Sequence, residues 1–202
     1  MINRVQLVLN KVELKSDATA SCPDDGGNRG PGNCAEVETG PRLVELPVNP
    51  GVAGTINVSV PQGTFTKTEL KVGPAIEGHH GGTAFLQANP GFAGISVRVE
   101  GTFNGTPFVY TSPLEAEIEL EFNTPVTVDA NGLSVTIDVD VLRWFTTAGG
   151  AVIDPNTALG GGANEELVAQ NIRASFHAFE DEDHDGHDDH GGHGSDDGPN
   201  HT

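Results

Sequence analysis

LEAEIELEF, residues 114–122, alternates without a break. Leu114, Ala116, Ile118, Leu120 and Phe122 fall on one side, and Glu115, Glu117, Glu119 and Glu121 on the other. A period of two is the period of a strand, whose successive side chains point to opposite faces. A fully charged second face means a strand that is wet on one side, which is the habit of antiparallel sheets. LSVTIDVDV, residues 133–141, repeats the pattern, with Leu133, Val135, Ile137, Val139 and Val141 inward. Asp129-Ala130-Asn131-Gly132 supplies the turn before it.

The same period runs through the rest of the body. INRVQLVL, residues 2–9, alternates through Val5, Leu7 and Leu9; the parity then moves to Val12 and Leu14, which predicts a bulge near Asn10. TINVSV (55–60), GTFTKTELKV (63–72) and GISVRVEGTF (94–103) read as further strands. The last leads into Asn104-Gly105, the strongest short-range hairpin signal, and returns as TPFVYT (106–111). Eight or so such strands at turn-punctuated intervals predict a mainly β fold, an antiparallel β-sandwich of immunoglobulin-like or prealbumin-like type. One segment differs. NEELVAQNIRASFHAF, residues 164–179, spaces Val168, Ile172, Phe176 and Phe179 by four, four and three. With Asn164 as N-cap and Glu165 and Glu166 in the first turn, it predicts a helix over 165–178 packed on the sheets. The domain thus spans 1–179.

Residues 180–202 are of another kind. They hold no Val, Ile, Leu, Met or aromatic residue, nine acids, and no Lys or Arg. Such a segment cannot bury enough apolar surface to fold alone, and the expectation is a disordered acidic, His-rich tail. The chain of 202 residues has a formal charge of −19. That charge repels nucleic acid and anionic lipid, and leaves metal cations as the natural partners. No apolar run approaches a membrane span. MINRVQLVLNKVEL reads as a strand and not as a signal segment, so the expectation is a mature or trimmed form, or a start assigned downstream of the true one.

Cys22 and Cys34 flank PDDGGNRGPGN, a linker made of turn formers. A disulfide across such a loop would stabilise by roughly 3 kcal/mol in the chain-entropy model. Nothing around them suggests a metal site or a nucleophile, which favours the disulfide over two free thiols and points outside the cytoplasm.

Three stretches carry a resemblance: VPQGTFTKTELKVGP (60–74), SVRVEGTFNGTPFVYTS (96–112) and FEDEDHDG (179–186). Together they resemble a family of bacterial extracytoplasmic proteins, often lipoproteins, whose β-sandwich domain has no assigned function. The resemblance implies a periplasmic, cell-surface or secreted location and supplies no activity. The order of strand, WF, IDP and short helix between Ser134 and Phe179 is also similar, faintly, to periplasmic copper-binding proteins of the methanobactin-associated type. No ligand of theirs maps onto this chain residue by residue.

The candidate sites are all sites for cations. In DEDHDG, Asp181, Asp183 and Asp185 stand at positions 1, 3 and 5 of a calcium loop, with Gly186 at the sharp turn. Alternate residues of a tight loop converge their oxygens on one ion. Position 12 is Gly192 and not Glu, so Asp188 or Asp189 must close the shell, and binding is expected in the roughly 10⁻⁴–10⁻³ M range. The expected helix before this loop matches the first helix of an EF-hand. His184, His187, His190 and His193 form a series at every third position, suited to zinc or copper. Three residues of extended chain advance about 9 Å, so sharing an ion requires the chain to fold back, which Gly186, Gly191 and Gly192 permit. His79 and His80 in EGHHGG, and His177 on the expected helix, are weaker metal candidates. The Glu115–Glu121 ladder reads as a solvated sheet face. No nucleophile elbow, HExxH or phosphate loop is present, so catalysis is not expected. The readings left open are a non-enzymatic metal-binding protein, or a structural, adhesive or glycan-binding module, self-associating or not, whose tail only solubilises it.

Overall fold

The computed structural model describes residues 1–15, 37–48, 54–58, 63–128 and 133–179. Among the described residues there are ten strands: β1 (Ile2–Lys15), β2 (Val37–Thr39), β3 (Arg42–Leu46), β4 (Gly54–Val58), β5 (Gly63–Val72), β6 (Val97–Phe103), β7 (Thr106–Ser112), β8 (Ala116–Val128), β9 (Leu133–Val139) and β10 (Phe176–Phe179). Two helices, α1 (Gly82–Ala88) and α2 (Glu165–Ala174), accompany them. The fold is mainly antiparallel β. The larger sheet runs β7-β6-β1-β5-β8, with β2 and β3 also on β1; the smaller runs β10-β9-β4.

β1 is the frame of the larger sheet. On one edge it pairs with β3 (Val5↔Leu46 to Leu9↔Arg42) and then β2 (Val12↔Thr39 to Leu14↔Val37). On the other edge two strands share its length: β6 takes Ile2–Leu7 and β5 takes Leu9–Lys15. They part at one residue. The Val8 carbonyl accepts from Gly73 N–H at 3.2 Å, and the Val8 N–H donates to the Ser96 carbonyl at 2.7 Å. Residues 73–96, which contain α1, leave and rejoin the sheet there. The expected bulge is present, as a register shift between Leu9 and Lys11 against β5. It turns Leu9 and Val12 to one face although they stand an odd three positions apart, and both are buried in one cluster.

The inner face of the larger sheet is covered in two halves. Val5, Leu7, Val97, Val99, Phe108 and Tyr110 pack against Val141, Trp144, Phe145, Ile153, Val168 and Ile172 of the segment that follows β9. Leu9, Val12, Leu70, Val72 and Ile118 form the second cluster, on which Val139 of β9 and Phe176 of β10 pack. On the outer face Val8 lies with Ala75, Phe85 and Phe92, under α1 and the turn after it. The β6–β7 hairpin turns at Asn104 (φ 50°) and Gly105 (φ 80°), as the Asn-Gly signal requires.

The expected helix over 165–178 is corrected. It stops at Ala174, and Phe176–Phe179 pairs antiparallel with β9, from Phe176↔Val139 to Phe179↔Thr136. Ser175 ends it: its N–H (3.1 Å) and its hydroxyl (2.7 Å) both bond the Ile172 carbonyl, which tightens the last turn. The same hydroxyl accepts from Trp144 Nε1 at 2.7 Å. Asn164 stands before the helix as expected but does not cap it; its amide donates to Thr157 Oγ1 instead. No described helix is long and apolar enough to cross a membrane.

Candidate metal site

The C-terminal carboxylates and imidazoles are rooted on β10. Asp181, Asp183, Asp185, Asp188, Asp189, His184, His187, His190 and His193 lie outside the described residues, as do Cys22 and Cys34. What the structure adds is the root. Phe179 is held in register opposite Thr136, so Asp181 follows two residues after a paired strand. The element before the Asp-x-Asp-x-Asp-Gly stretch is therefore a strand, and the expected EF-hand helix is replaced. His177 lies on β10 opposite Asp138, not on a helix.

His79 and His80 occupy an exposed turn on the outer-face segment 73–96. The turn is tightly bonded: His79 N–H donates to the Ile76 carbonyl, Gly82 N–H to the His79 carbonyl at 2.6 Å, and Gly78 N–H to Thr83 Oγ1 at 3.0 Å. His80 has a positive φ of 32°, between Gly78 (82°) and Gly81 (85°). A Cβ on Gly82 would stand 2.0 Å from the Ile76 carbonyl oxygen, and one on Gly40, in the break between β2 and β3, 2.2 Å from that of His80. Backbone packs on backbone at both places, so only glycine fits.

The Glu115–Glu121 ladder is a surface charge pattern. Glu115, Glu117 and Glu119 are exposed. β5 answers them in register, Lys71 opposite Glu117 and Lys67 opposite Glu121, and Lys67 also forms an ion pair with Glu119. Glu69 faces Glu13 on one side and Glu119 on the other. Like charges directly opposite one another are unfavourable, and the lysine rows above and below offset them. Glu13 is buried, 2% exposed, with Lys11 Nζ at 2.5 Å. Among the described residues no three His, Cys, Asp or Glu side chains are grouped to hold a metal.

The buried hydroxyls hold structure together. Ser96 Oγ donates to the Leu114 carbonyl and Ser175 Oγ to that of Ile172. Tyr110, 1% exposed, meets Phe145 edge-to-face at 5.2 Å. Its hydroxyl lies beside Ser112 without a well-formed hydrogen bond among the described residues. Burial raises its pKa above the ordinary phenol value; Ser112 opposes the rise, Glu165 adds to it, and Arg173 opposes it. No protein-family model, curated protein or solved structure matches the chain.

Reasoning from sequence missed the backbone conformation and close packing of the histidine turn. The signal available was the run Gly78-His79-His80-Gly81-Gly82; the other half of the device, Gly40, lies 40 residues away from His80.

Proposed function

We propose that the chain is an extracytoplasmic, non-enzymatic metal-binding protein. A β-sandwich body carries a C-terminal segment that takes calcium at Asp181, Asp183 and Asp185, with Asp188 or Asp189 completing the shell. The same segment takes zinc or copper through His184, His187, His190 and His193. The observation that carries this reading is the segment's composition: alternating carboxylates closed by Gly186, then imidazoles at every third residue, with no Lys or Arg to compete for the acids. The root on β10 supports it, because a loop whose first ligand follows a paired strand has less chain to order on binding. A strand can present such a loop as a helix does, since the ligands come from the loop itself.

Calorimetric titration of the full chain with calcium and with zinc tests the proposal. D181N/D183N/D185N should abolish a millimolar calcium response and leave zinc uptake in place. A chain ending at Phe179 should lose most zinc capacity. Zinc uptake should fall between pH 7.5 and 5.5, since an imidazole of ordinary pKa of about 6.5 must shed its proton to coordinate. Calcium titrations that are the same for the wild type and the Asn variant overturn the calcium assignment. Full zinc uptake by the truncated chain overturns the histidine assignment.

A further inference from the structure

We propose that Asn104, at the tip of the β6–β7 hairpin, is a site of spontaneous covalent modification, its side-chain amide being displaced by the backbone nitrogen of Gly105. The reacting groups need no positioning from elsewhere in the fold, because they are neighbours in the chain. The Gly105 nitrogen gives its proton to solvent hydroxide and attacks the side-chain carbonyl carbon, Cγ, of Asn104. The new C–N bond closes a succinimide ring. The Cγ–Nδ2 bond breaks, and the nitrogen takes a proton from water and leaves as ammonia, which restores the hydroxide. Water then opens the ring. Cleavage at Cγ gives aspartate; cleavage at the main-chain carbonyl gives isoaspartate, with the backbone routed through the side chain. Water enters, ammonia leaves, and no other reactant is required.

The surroundings single out this asparagine. Asn104, Gly105 and Thr106 are all exposed. The β6–β7 ladder ends at Phe103↔Thr106, so the Gly105 nitrogen lies beyond it and has no ladder bond to give up. A Cβ added to Gly105 would meet nothing within 4 Å, and glycine has no side chain of its own to shield its nitrogen. The ring closes by rotation about the Cα–C and Cα–Cβ bonds of Asn104, so its φ of 50° does not oppose closure. Asn89, Asn156, Asn164 and Asn171 differ on both counts: each donates its amide in a hydrogen bond, and none precedes a glycine. The two products act differently on the hairpin. Asp-Gly suits the same turn as Asn-Gly, so the aspartyl form keeps it. Isoaspartate adds a methylene to the main chain of a turn whose length sets the strand register, and so loosens the Phe103↔Thr106 closure.

The test ages the folded full-length chain in mildly alkaline buffer, well below its Tm, beside a peptide of residues 100–109. Samples are digested at acid pH, so that handling adds no conversion, and mapped by mass spectrometry. An isoaspartyl-specific methyltransferase counts isoaspartate. The fragment holding Asn104 should lose its amide progressively, faster as pH rises, and yield aspartate and isoaspartate together. N104D supplies the standard for the aspartyl product and should keep the wild-type Tm. Asn131-Gly132, the other Asn-Gly pair in the sequence, is read on its own fragment of the same digest. A folded chain whose Asn104 remains an amide long after the peptide has converted overturns the proposal. So does acid at Asn104 without isoaspartate, since direct hydrolysis would bypass the ring.

Discussion

Ser175→Ala isolates one of the contacts that fasten the end of α2 to the body. The hydroxyl accepts from Trp144 Nε1 and donates to the Ile172 carbonyl, each at 2.7 Å. Its removal leaves the two partners in different positions. The Ile172 carbonyl keeps the Ser175 N–H at 3.1 Å. The indole N–H has no such reserve, and Trp144 is 0% exposed. A buried donor left without a partner costs about 1–3 kcal/mol. Taking about 2 kcal/mol, and a shift of roughly 2–4 °C per kcal/mol for a domain of this size, the Tm should fall by about 4–8 °C. Trp144 is the chain's one tryptophan, so urea unfolding followed by its fluorescence and by circular dichroism reads the loss directly. The sharper measurement is a double-mutant cycle with Trp144→Phe, followed by circular dichroism. Without an indole to strand, Ser175→Ala should cost much less, with a coupling of about 1 kcal/mol or more. An equal cost in both backgrounds would refute the assignment of that energy to the hydrogen bond.

Gly40→Ala and Gly82→Ala should each lower the Tm clearly, because the new Cβ meets a carbonyl oxygen at 2.2 and 2.0 Å; Gly91→Ala, whose Cβ meets only Arg98 Nη1 at 3.6 Å, is the control and should be nearly silent in the same thermal scan. Tyr110→Phe should cost little at neutral pH, since its hydroxyl lacks a well-formed bond. With its pKa raised in the folded state, Tyr110 contributes stability that is intact below about pH 10 and is lost as pH climbs through the folded value, so the Phe variant should show a shallower alkaline loss in urea titrations above pH 10. Protein recovered from an oxidising compartment should show Cys22 and Cys34 protected from alkylation until reduced; intact mass with two alkylated thiols before reduction would remove the disulfide.

The strands that were legible in the sequence are those with one wet face. β5, β6, β7 and the start of β8 alternate because solvent or surface charge lies on one side and a core cluster on the other, and β9 carries the same alternation in its sequence. β3 was not legible for the converse reason. Leu43 packs outward under α1 and Val44 inward against the core, so Arg42–Leu46 has apolar neighbours on both faces and its alternation disappears. α1 is seven residues long, opens on glycine and has no side-chain cap, so none of the usual start signals marks it. The end of α2 was misread because Val168, Ile172 and Phe176 keep helical spacing across Ser175. What marks the boundary lies far off in sequence: the contact of Ser175 with Trp144, 31 residues earlier, and the pairing of Phe176–Phe179 with β9. Composition located the candidate ligands of the tail, since charge and histidine content need no fold to be visible. The close packing of the histidine turn needed the fold, because half of it comes from the β2–β3 break.

The place of β1 in the larger sheet has a kinetic consequence. This strand precedes its edge partners β5 and β6 by about sixty to about a hundred residues, as Leu9↔Val72 and Ile2↔Gly101 show. Contacts so distant in sequence must close long loops before they return any stabilisation, and such topologies fold in roughly milliseconds to seconds rather than microseconds. During that interval β1 is a fourteen-residue ribbon with an apolar face and an unfilled edge, the state most exposed to pairing with a neighbouring molecule. Yield on refolding should therefore depend steeply on protein concentration, and the acidic C-terminal segment, by keeping chains apart electrostatically, should widen the range over which refolding succeeds.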